Sequence, residues 1–157
     1  KWEDFSDAEF NKNAAEKIEK DYIYLFIGVS NPLASPYASS YYRKESRLMD
    51  KPARDNIKLM KKWGLELEES YKDLPDHILT TLNIVSVLLA HKENVEEEVL
   101  KRELDQDIYN TIKNMEWLNT FKENILEHEE AKVYSKFTDA LIETFQEMKL
   151  SWENSQA

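Results

Sequence analysis

Apolar residues recur every three to four positions along most of this chain, the period of an amphipathic helix. In residues 7–28 they fall at Phe10, Ala14, Ile18, Tyr22, Leu25 and Phe26. Asp7 is placed to cap this helix, and Gly28 with Ser30-Asn31-Pro32 ends it. Pro32 and Pro36 push the residues before them out of the α region, so 30–36 reads as a loop. A short helix entered at Pro36 is expected from Tyr37 to about Met49. Pro52 to Trp63 is expected as the next, with Ile57, Met60 and Trp63 inward and Gly64 as its stop.

Residues 65–74 are acidic and read as irregular. Pro75 then stands at the first position of a helix running to about His91. Its apolar set, Ile78, Leu79, Leu82, Ile84, Val85, Val87, Leu88 and Leu89, covers most of the circumference, which marks a central, buried helix. Asn94 is placed to cap Val95 to Tyr109, with Val99, Leu100, Leu104 and Ile108 inward. Glu96, Glu97 and Glu98 would sit at the positive end of its dipole. Ile112 to Leu126 carries Met115, Leu118, Phe121 and Ile125. Lys132 to Trp152 carries Val133, Phe137, Leu141, Phe145, Met148 and Trp152. No alternating strand pattern and no internal repeat is present. The expectation is all-α: a single compact domain over residues 1–157, with about seven helices around the helix at 75–91.

Composition narrows the chemistry. The absence of cysteine removes disulfides, thiolate catalysis and cysteinyl iron–sulfur ligation. Two glycines are too few for phosphate-cradling loops. No run approaches the ~18 apolar residues of a membrane span. Lys1-Trp2-Glu3-Asp4-Phe5 lacks the basic–apolar–small pattern of a secretory signal, and the absence of cysteine suits a reducing cytoplasm. The net charge of −10 repels a phosphate backbone and argues against nucleic acid. That charge is uneven: residues 31–63 hold eight Lys/Arg against three Asp/Glu, and residues 64–110 hold four against twelve. A cationic peptide is a natural partner for such a chain, although any single charge run also fits a solvated helix face.

None of His77, His91 and His128 follows a glutamate by three positions, so the Glu-x-x-His pairs of a carboxylate-bridged metal bundle are missing. No metal or cofactor is expected. Asp76 and His77 resemble a base and its orienter, with Ser39 or Ser40 as nucleophile. Adjacent helical side chains diverge by about 100°, however, and no Gly-x-Ser-x-Gly elbow exists. No catalytic residue is assigned. A small hydrolase using His77 as base with Ser39 remains an alternative, as does a plain scaffold whose exposed aromatics form an oligomer interface. Taken singly, Asp76 suits a helix opening, and Tyr37, Tyr41, Tyr42, Trp117 and Tyr134 suit core or rim packing.

Taken in order, the segments carry more. Tyr22-Ile23-Tyr24-Leu25-Phe26, Pro36-Tyr37-Ala38-Ser39-Ser40-Tyr41 with Glu45, and Gly64-Leu65 ahead of Pro75-Asp76-His77-Ile78 are followed by Leu82, Trp117-Leu118, Phe121, Tyr134 and Phe145. This succession resembles the TorD/NarJ-type (TorD/DmsD) redox-enzyme maturation chaperones over roughly residues 15–146. Arg43 and Thr81 stand where that pattern often has acidic residues. The resemblance implies a cytoplasmic chaperone, not an enzyme. Its partner would be the N-terminal, twin-arginine type signal or tail of a molybdopterin oxidoreductase catalytic subunit. It would assist cofactor loading, assembly and export proofreading, without inserting into the membrane itself. Pro75, Asp76, His77, Ser39, Tyr41, Tyr42, Glu45 and Leu82 are the peptide-binding candidates. Asp76 would receive arginine or fix backbone, His77 bond peptide carbonyls or orient neighbours, Tyr41 and Tyr42 wall a groove, Ser39 bond at its edge and Leu82 floor it. A monomer is expected, with a dimer by helix exchange through residues 64–75 as the other arrangement.

Overall fold

The computed structural model of the chain describes residues 12–28, 32–42, 48–128 and 131–155. Asp7, Phe10, Ser30, Asn31, Arg43 and Glu45 lie outside the described residues. The described elements are helical: α1 (Lys12–Tyr22) running into a π-helix (Ile23–Ile27), α2 (Ser39–Tyr42), α3 (Lys51–Lys62), α4 (Ile78–Asn94), α5 (Glu98–Lys113) with a 3₁₀ turn (Asn114–Trp117), α6 (Leu118–Leu126) and α7 (Lys132–Ser155). No strand occurs among the described residues, only an isolated antiparallel bridge between Tyr37 and His77. The all-α expectation holds. The chain divides into two compact units, residues 1–35 with 118–144, and residues 36–117 with 145–157.

In the first unit, the stripe expected on α1 is broken by the π-helix, which closes on Gly28 at φ 60 with its amide donating to Ile23 O at 2.9 Å. The wider turn sends Leu25 inward, where it is fully buried, and leaves Tyr22, Ile23, Tyr24 and Ile27 exposed. Tyr22 was expected inward. Phe26 stacks on Phe121 at 5.8 Å and meets the edge of Tyr134 at 5.1 Å. Leu118, Phe121 and Ile125 are buried, as their spacing foretold. On α7 the stripe begins one residue later than expected: Val133 and Phe137 are exposed, while Thr138 is buried and the Tyr134 hydroxyl donates to Ile18 O at 3.1 Å.

The second unit holds the motifs. α3 starts at an Asp50 cap and ends at Gly64, φ 66. The Gly64 amide donates to Lys61 O and that of Leu65 to Met60 O, a Schellman closure. Only Ser39–Tyr42 of the helix expected at 37–49 is helical among the described residues, and Leu48 to Asp50 is a turn in which Met49 has φ 63. α4 and α5 are joined by three residues, and Lys92 pairs with Asp105 across them. Asn94 is the last residue of α4 rather than a cap for α5. Its amide donates to Ala90 O, so α5 begins at Glu98, and Val99 is exposed.

α4 is corrected in two ways. It begins at Ile78, not at Pro75, because Pro75 and Asp76 form a turn in which the His77 amide donates to Leu74 O at 3.0 Å. Proline suits the second position of such a turn as well as a helix opening. Burial is also one-sided: Thr80, Thr81, Ile84, Val85 and Leu88 face inward, and Leu79, Val87 and Leu89 are exposed. Leu88→Ala, at a site with no exposed surface, should lower unfolding free energy by about 2–5 kcal/mol. Leu79→Ala, at an exposed site, should change it by no more than about 0.5 kcal/mol. Urea titration followed by circular dichroism checks both, and equal losses would contradict the one-sided burial.

Candidate functional site

The two motif segments, nearly forty residues apart, are knotted together inside the second unit. The Ala38 amide donates to Asp76 O at 3.1 Å, and the Ile78 amide to Pro36 O at 2.9 Å. The Ser39 amide, first in α2, donates to Asp76 Oδ2 at 2.8 Å. Asp76 therefore caps a helix remote from it in sequence, using the same carboxylate–amide contact that local caps use. Its side chain has no exposed surface, and its Oδ1 has no hydrogen-bond partner among the described residues. Ser39 is equally buried, and its Oγ accepts the Asp50 amide at 3.1 Å, which ties the entry of α3 to the same point.

His77 caps α4. Its Nδ1 accepts the Leu79 amide at 3.1 Å, which places the ring proton on Nε2 in the neutral form. The ring meets Tyr37 edge-on at 5.1 Å. The Tyr37 hydroxyl donates to Asp73 at 2.9 Å, and burial together with that carboxylate pushes its pKa up to about 12. Tyr37 thus stays a phenol. Burial lowers the His77 pKa, against the opposing pull of the Asp73 and Asp76 carboxylates.

Sequence reading missed Asn56. Its Nδ2 donates to Pro75 O at 2.8 Å and to Thr81 Oγ1 at 2.9 Å, so α3 holds both the proline turn and the first turn of α4. It gave no signal, because an asparagine inside a helix declares nothing about partners 19 and 25 residues away. Thr81 also donates to His77 O at 3.2 Å, which occupies its hydroxyl within the frame.

Beside this frame lies a groove of about 360 Å³ between α2, α3, α5 and the 3₁₀ turn. Tyr42, Leu59, Met115 and Trp117 give it apolar surface, and Tyr41 stacks on Trp117 at 5.1 Å. Asn56, Thr81, Asn110, Thr111 and Asn114 add polar surface. Its charged lining comes in pairs: Lys51 with Asp55, and Lys62 with Asp107 at 2.7 Å, with Lys58 besides. Asp107 Oδ2 also accepts the Trp63 indole N–H at 2.8 Å.

Of the expected site residues, Tyr42 lines this groove, and Tyr41 backs it through Trp117. Asp76, His77 and Ser39 form the buried frame behind it. Pro75 lines a different cavity, of about 380 Å³, with Ile57, Met60 and Leu65 to Leu67. Leu82 is half-buried and lines neither. Glu45 is outside the described residues. Among the described residues no group of three or more His, Cys, Asp or Glu is placed to hold a metal ion, and no helix is long and apolar enough to cross a membrane.

The His77 cap has a pH consequence. The unfolded imidazole takes up a proton near pH 6.5, whereas the folded one does so only at lower pH. Stability is therefore full above about pH 6.5 and falls as pH drops toward the folded value, below which the loss is complete. Replacement by Asn keeps an N-cap that does not titrate. Urea midpoints at about pH 7.5 and about pH 5 should show a larger acid loss for the wild type than for His77→Asn, and equal losses would remove His77 from the account.

The family model described as nitrate reductase delta subunit matches residues 1–123. Chaperone protein TorD of Vibrio parahaemolyticus is 29% identical over 135 residues, covering 84% of this chain and 63% of that relative. The proteins of the same name from Vibrio vulnificus and Photobacterium profundum are 23% and 24% identical over 133 residues, covering 83% of this chain and 62% of each relative. The chain thus spans somewhat less than two thirds of the length of these relatives. No solved structure matches it. A match over residues 1–123 of 157, together with the succession of motifs knotted around Asp76, places the chain in the nitrate reductase delta subunit family, of the TorD/NarJ type.

Proposed function

We propose that this chain is a cytoplasmic maturation chaperone. It binds the N-terminal signal or tail of a partner molybdopterin oxidoreductase subunit and assists cofactor loading, assembly and export proofreading. The observation that carries the reading is the aromatic groove of Tyr42 and Trp117, built against the buried Ser39–Asp76–His77 frame. Its volume, at the lower end of the ~300–1,000 Å³ typical of binding pockets, suits a few side chains of a peptide. An arginine-bearing leader with an apolar run needs aromatic faces for guanidinium and hydrocarbon, and carboxylates at the rim. Both are present on one chain, so a monomer suffices.

Asp76 was assigned two roles, receiving arginine or fixing backbone. Its burial and its bond to Ser39 favour the second, with Pro75, His77 and Ser39 as the supporting frame and Tyr41 and Tyr42 as the wall. Leu82, which lines neither cavity, stays in the proposal, as does Glu45. The non-catalytic reading is supported by the commitments of the two groups a hydrolase would use: Ser39 Oγ accepts the Asp50 amide and His77 Nδ1 the Leu79 amide.

Calorimetric titration tests this reading with a synthetic leader that carries an Arg-Arg pair before a leucine- and alanine-rich run. Binding in the micromolar range is expected, and Tyr42→Ala should weaken it about three- to tenfold through loss of an aromatic face. Absence of heat with the wild-type chain would sink the reading. Binding that ignores Tyr42 would move the peptide away from this groove.

A further inference from the structure

We propose that the carboxylate which reads the peptide's arginine is Asp107, and that Asp76 acts only as a positioning residue through Ser39 and α2. The proposal rests on the peptide-binding reading above. Asp76 has no exposed surface, and the oxygen it uses is already on the Ser39 amide. A guanidinium brought to it would have to be stripped of water and threaded past α2.

Asp107 is placed differently. It lines the groove with 18% of its side chain exposed. Its Oδ2 accepts both the Lys62 ammonium and the Trp63 indole N–H, while its Oδ1 accepts no hydrogen bond among the described residues. The Trp63 bond is neutral and comes from a half-buried ring, so it holds the carboxylate in place whichever cation is bound. Lys62 is 44% exposed and rides on a flexible stem, so it is the exchangeable partner. An arriving guanidinium offers a planar fork of donors for both oxygens, where an ammonium offers a point charge.

The surroundings suit the exchange. Asn110 on α5 and Asn114 at the start of the 3₁₀ turn line the same groove. The Asn110 Oδ1 already accepts Gln106 Nε2 at 3.1 Å and has one lone pair left, so the two amide oxygens can still take remaining guanidinium protons. Tyr42 and Trp117 supply ring faces in the same groove. Asp55 also lines the groove but is more exposed, at 34%, and among the described residues it pairs with Lys51, with no neutral donor there to fix it once that lysine leaves. Because Lys51, Lys58 and Lys62 also line the groove, an arginine that engages both Asp107 oxygens competes with Lys62 for Oδ2. The competition between Lys62 and the peptide is therefore the signature of this site.

The test is a double-mutant cycle by calorimetry with the Arg-Arg leader and its Gln-Gln counterpart. The wild-type chain should bind the arginine peptide roughly tenfold or more better than the glutamine peptide, the size of a partly buried charge-assisted pair. Asp107→Asn should lose that preference, binding both peptides alike, whereas Asp76→Asn, which keeps an acceptor for Ser39, should retain it. Lys62→Gln, an exposed change that leaves the fold alone, should tighten the arginine peptide about threefold and leave the glutamine peptide unchanged. An unaltered preference in Asp107→Asn, or loss of preference in Asp76→Asn, overturns the assignment while the peptide reading stands. If Asp107→Asn fails to fold, Lys62→Gln decides alone: no gain for the arginine peptide overturns the assignment. A wild-type chain that binds neither peptide overturns both the reading and this inference.

Discussion

The Asp76 carboxylate, wholly removed from water, accepts the amide proton of Ser39, and the groove wall depends on that bond. Four residues of α2 are described, Ser39–Tyr42, and its first turn leans on groups outside the helix. What holds it is supplied from outside: a carboxylate at its first amide, a short stretch of backbone pairing before it, and the Asp50 amide on its first hydroxyl. A charge-assisted bond of this kind contributes about 1.5–3 kcal/mol, against about 1–3 kcal/mol for leaving the second oxygen without a partner. The balance is narrow. Asp76 serves less as a source of net stability than as a fixing point that selects one placement of the tyrosine wall.

The same economy runs through the neighbouring groups. A histidine caps α4, where serine, threonine or aspartate is the usual choice, and this makes the helix start conditional on a neutral ring. Asn56 binds the proline turn and the first turn of α4 with two protons from one amide. Three loops and three helix ends therefore converge on few atoms. Shifts in any one of them reach Tyr42 through hydrogen bonds rather than through soft packing.

The helices were legible wherever one apolar stripe dominates: Met115, Leu118, Phe121 and Ile125 are buried as their spacing demands. Phase was lost where two stripes compete. On α7 Val133 and Phe137 advertise a face more loudly than Tyr134 and Thr138, yet the polar-looking pair turns inward because each hydroxyl has a backbone carbonyl to bond. Pro75 misled because its fixed φ suits a turn and a helix start equally. The motif segments were legible as a succession, but their geometry was not. That Asp76 faces an amide 37 residues away, or that Asp107 holds an indole 44 residues away, is decided by tertiary packing alone.

The π-helix at Ile23–Ile27 bears on how this chain tolerates change in length. A π-turn is an α-turn with one residue to spare, and here the spare residue rotates α1 about its axis relative to the buried Leu25. Deleting any one residue from this segment would restore α geometry and swing residues 12–22 by about 100°. Asp21, buried against His128 at 3.0 Å, and the Ile18 carbonyl, bonded to Tyr134, would then face elsewhere. Among variants of this chain, substitutions at the exposed Ile23, Tyr24 and Ile27 should be more common than single deletions anywhere in 23–27, because the number of residues there sets the phase of α1.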